Sequence, residues 1–190
     1  MSHLRAVDYY IEDIPHAAAL DLVQRYHYAK GGSNTAVFRH GLFRAGQSEP
    51  VGVAWWLPPT KPAAVSVAGD GRKGVLVLTR LVVAPEIPTN GASFLLGRSI
   101  RRIRQNPRWT HLVTYADEGE GHLGQIYRAT NWEYQGAMRG HPGWVDKEGR
   151  RVSVKAATNR TYEEMEEMGL TKLPASRKHK FTMDLRKEAA

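Results

Sequence analysis

Cysteine is missing from all 190 residues. Its absence excludes disulfides, thiolate metal centres and a thiol nucleophile, and it agrees with a reducing compartment. Long apolar runs are missing too: nothing approaches the roughly 18 residues a membrane-spanning helix needs. The opening Met1-Ser-His-Leu-Arg-Ala-Val-Asp8 has no apolar stretch of the signal-peptide kind. The expectation is a soluble intracellular protein. Acidic residues are scarce: 19 Asp and Glu stand against 27 Lys and Arg, a formal charge of +8. A surface of that sign attracts polyanions, above all nucleic acid, through phosphate neutralisation. No internal repeat or low-complexity tract interrupts the chain.

What is present fills one core. At 42% hydrophobic, a chain of this length is expected to form a single domain over 1–190. Its core spans about 7–140, a basic irregular segment follows over 140–175, and a terminal strand closes it at 180–185. Val7 to Glu12 reads as a first strand. Pro15 suits the opening turn of a helix over His16 to Tyr26, with Ala17, Leu20 and Val23 on one face. Gly31 and Gly32 force a loop after His27 and Tyr28, which are either a polar loop edge or part of a site. Ala36 to Arg44 and Val51 to Leu57 read as an antiparallel pair. Within it, Trp55 and Trp56 point to opposite faces, one into the core and one free to wall a pocket. Pro58 to Gly74 reads as an irregular insertion.

The organising stretch runs from Val75 to Gly136 as strand, turn, helix, strand, helix, strand. Val75 to Ala84 is nearly continuous in apolar β-formers, the pattern of a central strand buried on both faces. Arg80 interrupts it and needs an acceptor, either Asp117, a backbone carbonyl or a ligand at a site floor. Pro88-Thr-Asn-Gly-Ala-Ser93 opens a helix lined by Leu96, Ile100 and Ile103. Its N-terminus, with Asn90 or Ser93 as cap, is either an anion site or an ordinary capped turn. His111 to Asp117 ends in a carboxylate at a C-terminal strand edge, where such sheets place ligands. Gly121 to Trp132 reads as a helix with Leu123, Ile126, Tyr127 and Thr130 on one face. Tyr162 to Met168 is a short helix and Lys180 to Leu185 a final strand.

This arrangement resembles the core of the GCN5-related N-acetyltransferases (GNAT). That resemblance implies an α+β fold with a mixed, mostly antiparallel central sheet flanked by helices on both faces. The Gln/Arg-x-x-Gly-x-Gly/Ala signature of that superfamily falls on Pro88 to Ser93, with Gly91 in place and Ser93 replacing the last small residue. A narrower resemblance rests on Tyr115-Ala-Asp117, Gly121-His122, Gly124-Gln-Ile-Tyr-Arg-Ala-Thr-Asn-Trp132 and Tyr134-Gln-Gly136. His27-Tyr28, Leu78-Thr-Arg-Leu81, Pro88-Thr-Asn90 with Ser93, and Lys178-His-Lys-Phe181 extend it. Together they are similar to the phage Mom family.

The resemblance implies a phage-encoded enzyme in the cytoplasm of the bacterial host. It would convert adenine in double-stranded DNA to N6-(carbamoylmethyl)adenine, protecting the genome from restriction. His27, Tyr28, Arg80, Ser93, Asp117 and Tyr127 match the family's active positions. A coenzyme A thioester such as acetyl-CoA would lie against Leu81, Val82 and Val83 and the turn of Asn90, Gly91 and Ser93. Adenine N6 takes part in pairing, so the base would be flipped out, with Trp55, Trp56 or Trp144 as stacking partners. Because a thioester alone does not supply a carbamoylmethyl group, iron held by His27, Tyr28 and Asp117 is a further expectation. Two other readings stay open: an acetyl-CoA-dependent N-acetyltransferase of a small amine or protein, and a fold that only binds nucleic acid.

Overall fold

The structure is a computed structural model that describes residues 3–140, 142–150, 152 and 160–187. Nine strands and five helices appear among them. The strands are β1 (Tyr9–Asp13), β2 (Phe38–Arg44), β3 (Pro50–Leu57), β4 (Val75–Val83), β5 (His111–Asp117), β6 (Glu133–Arg139), β7 (Trp144–Val145), β8 (Thr171–Lys172) and β9 (Arg177–Asp184). The helices are α1 (His16–Tyr26), α2 (Lys61–Ala68), α3 (Gly91–Arg104), α4 (Gln125–Arg128) and α5 (Tyr162–Glu167).

Seven strands form one sheet in the order β1-β2-β3-β4-β5-β9-β6. Every neighbouring pair is antiparallel except β4 and β5, so the mixed, mostly antiparallel sheet is as expected. Helices cover both faces. On one, Ala19, Leu22 and Val23 of α1 meet Val53, Trp55 and Val82, and Ala64 of α2 meets Val75 and Val113. On the other, Leu95, Leu96, Ile100 and Ile103 of α3 meet Trp56, Leu76, Leu78 and Phe181. β4 is therefore apolar on both sides because both sides are covered.

Two stretches fold differently from the sequence expectation. Pro58 to Gly74 is not irregular: α2 occupies its middle, with Pro62 in the first turn where a missing N–H costs nothing, and a 3-10 turn follows over Gly69–Gly74. Gly121 to Trp132 is helical only over Gln125–Arg128. Gly121, Gly124 and Asn131 all take positive φ, which no right-handed helix contains. The basic run Gly149 to Lys155 lies mostly outside the described residues.

Both tryptophans of β3 are core. Trp55 and Trp56 are each 0% exposed. The Gly31–Gly32 loop lies flat on Trp55, where a Cβ on Gly32 would come within 2.6 Å of the indole. Trp56 donates its indole N–H to Ser99 and stacks with Trp132. Trp144 is also buried, against Tyr162. None of the three can stack on a substrate, which corrects the sequence expectation.

Candidate active site

A bulge in β4 sets the site. Trp55 pairs with Arg80 but Trp56 pairs with Leu78, leaving Thr79 as an extra residue. A bulge of this kind shifts every later side chain to the opposite face. Before it, Leu76 and Leu78 face α3; after it, Leu81 and Val83 do. Arg80 is thereby moved onto the face of Trp55 and α1, out of the apolar layer under α3. There its Nε donates to the Gly31 carbonyl at 2.7 Å and Nη1 to the Thr79 carbonyl at 2.6 Å. Of the expected acceptors, a backbone carbonyl is the one found.

Beyond the bulge the sheet opens. The parallel ladder of β4 with β5 ends where Leu78 lies opposite Thr114, while β4 stays paired with β3 as far as Val83. A cavity of ≈ 580 Å³ occupies the opening. His27, Tyr28, Arg80, Asp117 and Tyr127, which come from four separate segments, all line it, as do Leu81, Val82 and Val83.

The α1 helix stops at His27, whose N–H still donates to Val23. The His27 ring Nδ1 accepts the Ala29 N–H at 3.0 Å, which leaves the proton of the neutral ring on Nε2. Burial first, then the charges of Arg80 and its neighbours, lowers the His27 pKa to about 4. At neutral pH His27 is therefore an uncharged donor. Tyr28 stacks on it with ring centroids 4.4 Å apart. Burial and then Asp117 raise the Tyr28 pKa, so its hydroxyl remains a phenol. Burial likewise raises Tyr127, opposed by a hydrogen bond with Thr114. Tyr127 packs between Trp132 and Phe181.

Asp117 is 7% exposed. Its Oδ1 accepts from Gly119 N–H at 3.0 Å and from the Ser176 hydroxyl at 2.5 Å, and Lys178 Nζ stands 3.8 Å from Oδ2. The carboxylate thus ties the end of β5 to the start of β9. Ser176 and Lys178 had no role in the sequence reading of the site, and only their place in the strand opposite Asp117 reveals one.

Most of the α3 turn lies outside the cavity lining. Asn90 accepts the Leu4 N–H at 2.7 Å through Oδ1, and the Ser93 hydroxyl donates to the Asn90 carbonyl at 2.9 Å. Neither side chain caps the helix. Gly91 is required for packing, since a Cβ there would meet Ile87 at 2.3 Å. Of this turn Ala92 reaches the cavity; Asn90, Gly91 and Ser93 do not line it.

The iron expectation is not supported. Among the described residues no cluster of three His, Asp or Glu side chains is arranged to hold a metal. Asp117 Oδ1 is taken by Ser176 and Gly119, Lys178 stands beside Oδ2, and burial holds Tyr28 as a phenol. The proposed ligand set does not fit.

The sheet order, the single parallel pair and the opening beside it define the GNAT fold. Ribosomal-protein-S18-alanine N-acetyltransferase from Escherichia coli superposes with a TM-score of 0.56 at 12% identity, covering 96% of each chain. Spermidine N-acetyltransferase from Vibrio cholerae, solved with CoA and spermine, gives 0.58 at 7% identity over 95% of this chain and 98% of its own. YncA from Salmonella typhimurium, solved with acetyl-CoA, gives 0.58 at 10% over 96% of each chain. At such identities the likeness concerns architecture alone.

Sequence narrows the class. The chain belongs to the Mom protein family, whose profile matches residues 8–189. A relative in Escherichia phage Mu, methylcarbamoylase Mom, is 28% identical over 131 residues, which are 67% of this chain and 53% of the relative. The chain spans about half the length of that relative. Among the described residues no helix is long and apolar enough to cross a membrane.

Proposed function

We propose that this chain is a phage DNA-modification enzyme that attaches a carbamoylmethyl group to adenine N6, protecting the DNA from restriction in the cytoplasm of the bacterial host. The observation that carries the reading is the single cavity on which His27, Tyr28, Arg80, Asp117 and Tyr127 converge, in a chain of the Mom family. A volume of ≈ 580 Å³ is within the range of small-molecule pockets. The target base would be flipped into it, with the net charge of +8 supplying phosphate contacts.

The reaction is a displacement at carbon. The N6–C bond forms, the bond from the methylene to its leaving group breaks with its electron pair, and the proton lost from N6 passes first to Asp117 and then to the departed leaving group or to water. The donor is thus a two-carbon amide carrying a leaving group on its methylene. Asp117 supplies the anionic acceptor for the N6 proton. His27 Nε2–H and the phenols of Tyr28 and Tyr127 donate to the donor's carbonyl and leaving group, and Arg80 fixes a positive charge between them.

A coenzyme A thioester fits part of the site. The edge of β4 over Leu81, Val82 and Val83 would hold its extended arm, and the main-chain N–H groups of the first α3 turn, at Ala92 and Ser93, are left for its phosphates. Such a group supplies an activated carbonyl and a thiolate leaving group. Thioester aminolysis joins nitrogen to a carbonyl carbon, whereas a carbamoylmethyl group is joined through its methylene. The open β4–β5 cleft therefore also favours a second reading, an acetyl-CoA-dependent N-acetyltransferase of a small amine or protein.

Nucleoside mass spectrometry of DNA from cells producing the chain tests the proposal. N6-(carbamoylmethyl)adenine, absent from vector controls, is the expected product. Unmodified DNA, together with thiol release from acetyl-CoA in the presence of amines alone, favours the acetyltransferase.

A further inference from the structure

All five tryptophans are buried, so the rings that can meet a flipped base are those at the cavity mouth. His27 and Tyr28 stack there, and the His122 ring stands beside them, tilted by 39° with its centroid 5.9 Å from that of Tyr28. Tyr28 is 38% exposed and the His122 side chain is exposed as well. Among the described residues the His122 ring makes no hydrogen bond, and it stands on the cavity wall with Tyr28 as its ring neighbour.

The loop beneath it is built for display. Gly121 and Gly124 take φ of +74° and +76°, so His122 and Leu123 are held out between two left-handed turns. The His122 N–H donates to the Asp117 carbonyl at 3.1 Å. On the far side Gly124 lies so close to Phe181 that a Cβ would come within 2.2 Å of its ring. The backbone is fixed at both ends while the imidazole faces solvent. A side chain held this firmly on a cavity wall, beside the ring of Tyr28 and with no hydrogen bond of its own among the described residues, suits a residue whose partner is a ligand.

We infer that His122 is a substrate-contacting residue whose imidazole, beside the His27–Tyr28 pair, takes the face of the extruded nucleobase. This rests on the DNA-modification reading and adds the group that receives the base. Imidazole and phenol faces accept any base by stacking, a sequence-tolerant contact. His122 thus contributes to holding the base and leaves its identity to the groups deeper in the cavity.

The test compares two short single-stranded oligodeoxynucleotides of abasic sites, one with a single central adenine. Fluorescence anisotropy gives the gain in affinity due to the base. We expect a gain of about tenfold for the wild-type chain, its loss in His122→Ala, and its retention within about threefold in His122→Phe, with the salt dependence of all three unchanged. A wild-type chain indifferent to the base, a gain that survives in His122→Ala, or a His122→Phe variant as poor as His122→Ala would each overturn the inference. Failure of the underlying reading shows elsewhere, as DNA that carries no modified adenine while the base-dependent gain persists.

Discussion

The Thr114 hydroxyl donates to the Leu78 carbonyl at 3.1 Å across the last rung of the β4–β5 ladder. Two strands are closed by this contact at the point where they part, and the cavity begins beyond it. Replacing Thr114 by Val keeps the shape and removes the donor, stranding a buried carbonyl. The expected cost is about 1–2 kcal/mol of stability, read as a lower urea midpoint at unchanged m-value. An unchanged midpoint would mean that the ladder end needs no such closure.

Asp117 is asked both to clamp β5 to β9 and to accept a proton, and two variants separate these roles. Asp117→Asn retains an oxygen for Gly119 and Ser176, so stability should fall by no more than about 1 kcal/mol while turnover falls about 100-fold or more. Asp117→Ala strands both donors and should cost about 2–3 kcal/mol. Full turnover in Asp117→Asn would reduce the residue to a clamp.

Buried His40 gives the fold an acid sensitivity. Its Nδ1 lies 2.7 Å from the Ser99 hydroxyl, which also receives the Trp56 N–H. Nε2 stands 3.4 Å from exposed Asp13. Burial outweighs the attraction of Asp13 and lowers the His40 pKa to about 4. Because the folded pKa lies below the unfolded one, the unfolded chain binds the proton first. Stability is then complete above about pH 6.5, falls as the pH drops toward 4, and levels off below it. The loss attributable to His40 is about 3 kcal/mol, obtained by subtracting the pH profile of His40→Gln from that of the wild type. Parallel profiles would contradict this.

Gly124 should tolerate no side chain. Its positive φ and the nearness of Phe181 predict that Gly124→Ala costs about 2–4 kcal/mol by thermal or urea unfolding, whereas Gly46, positive in φ but with open space around it, should cost about 1 kcal/mol. Equal losses at the two positions would show that the Phe181 contact is irrelevant.

Much of the fold was legible because it is local. The unbroken apolar run of β4 implied cover on both faces, and α1 and α3 carried their apolar spacing openly. α2 is hidden in the sequence because Pro62 and the prolines and glycines flanking the helix outweigh Ala63 and Ala64 when read residue by residue. The gathering of His27, Tyr28, Arg80, Asp117 and Tyr127 came from family resemblance, since nothing in their spacing announces one cavity. The bulge at Thr79 arises from pairing with β3, which sequence does not display, yet it decides which face Arg80 occupies. The tryptophans mislead for a related reason. Alternation correctly places Trp55 and Trp56 on opposite faces, but only the packing of α1, the Gly31–Gly32 loop and α3 shows that both faces are covered.

If DNA is modified in the cavity between β4 and β5, the Arg80 side chain that lines it is required. Nucleoside mass spectrometry of plasmid DNA from cells producing either the wild-type chain or Arg80→Met, matched for soluble yield, measures this directly. We predict N6-(carbamoylmethyl)adenine with the wild-type chain and a loss of at least about 100-fold with Arg80→Met. The same adduct at equal level from both chains, or no adduct from either, would contradict it.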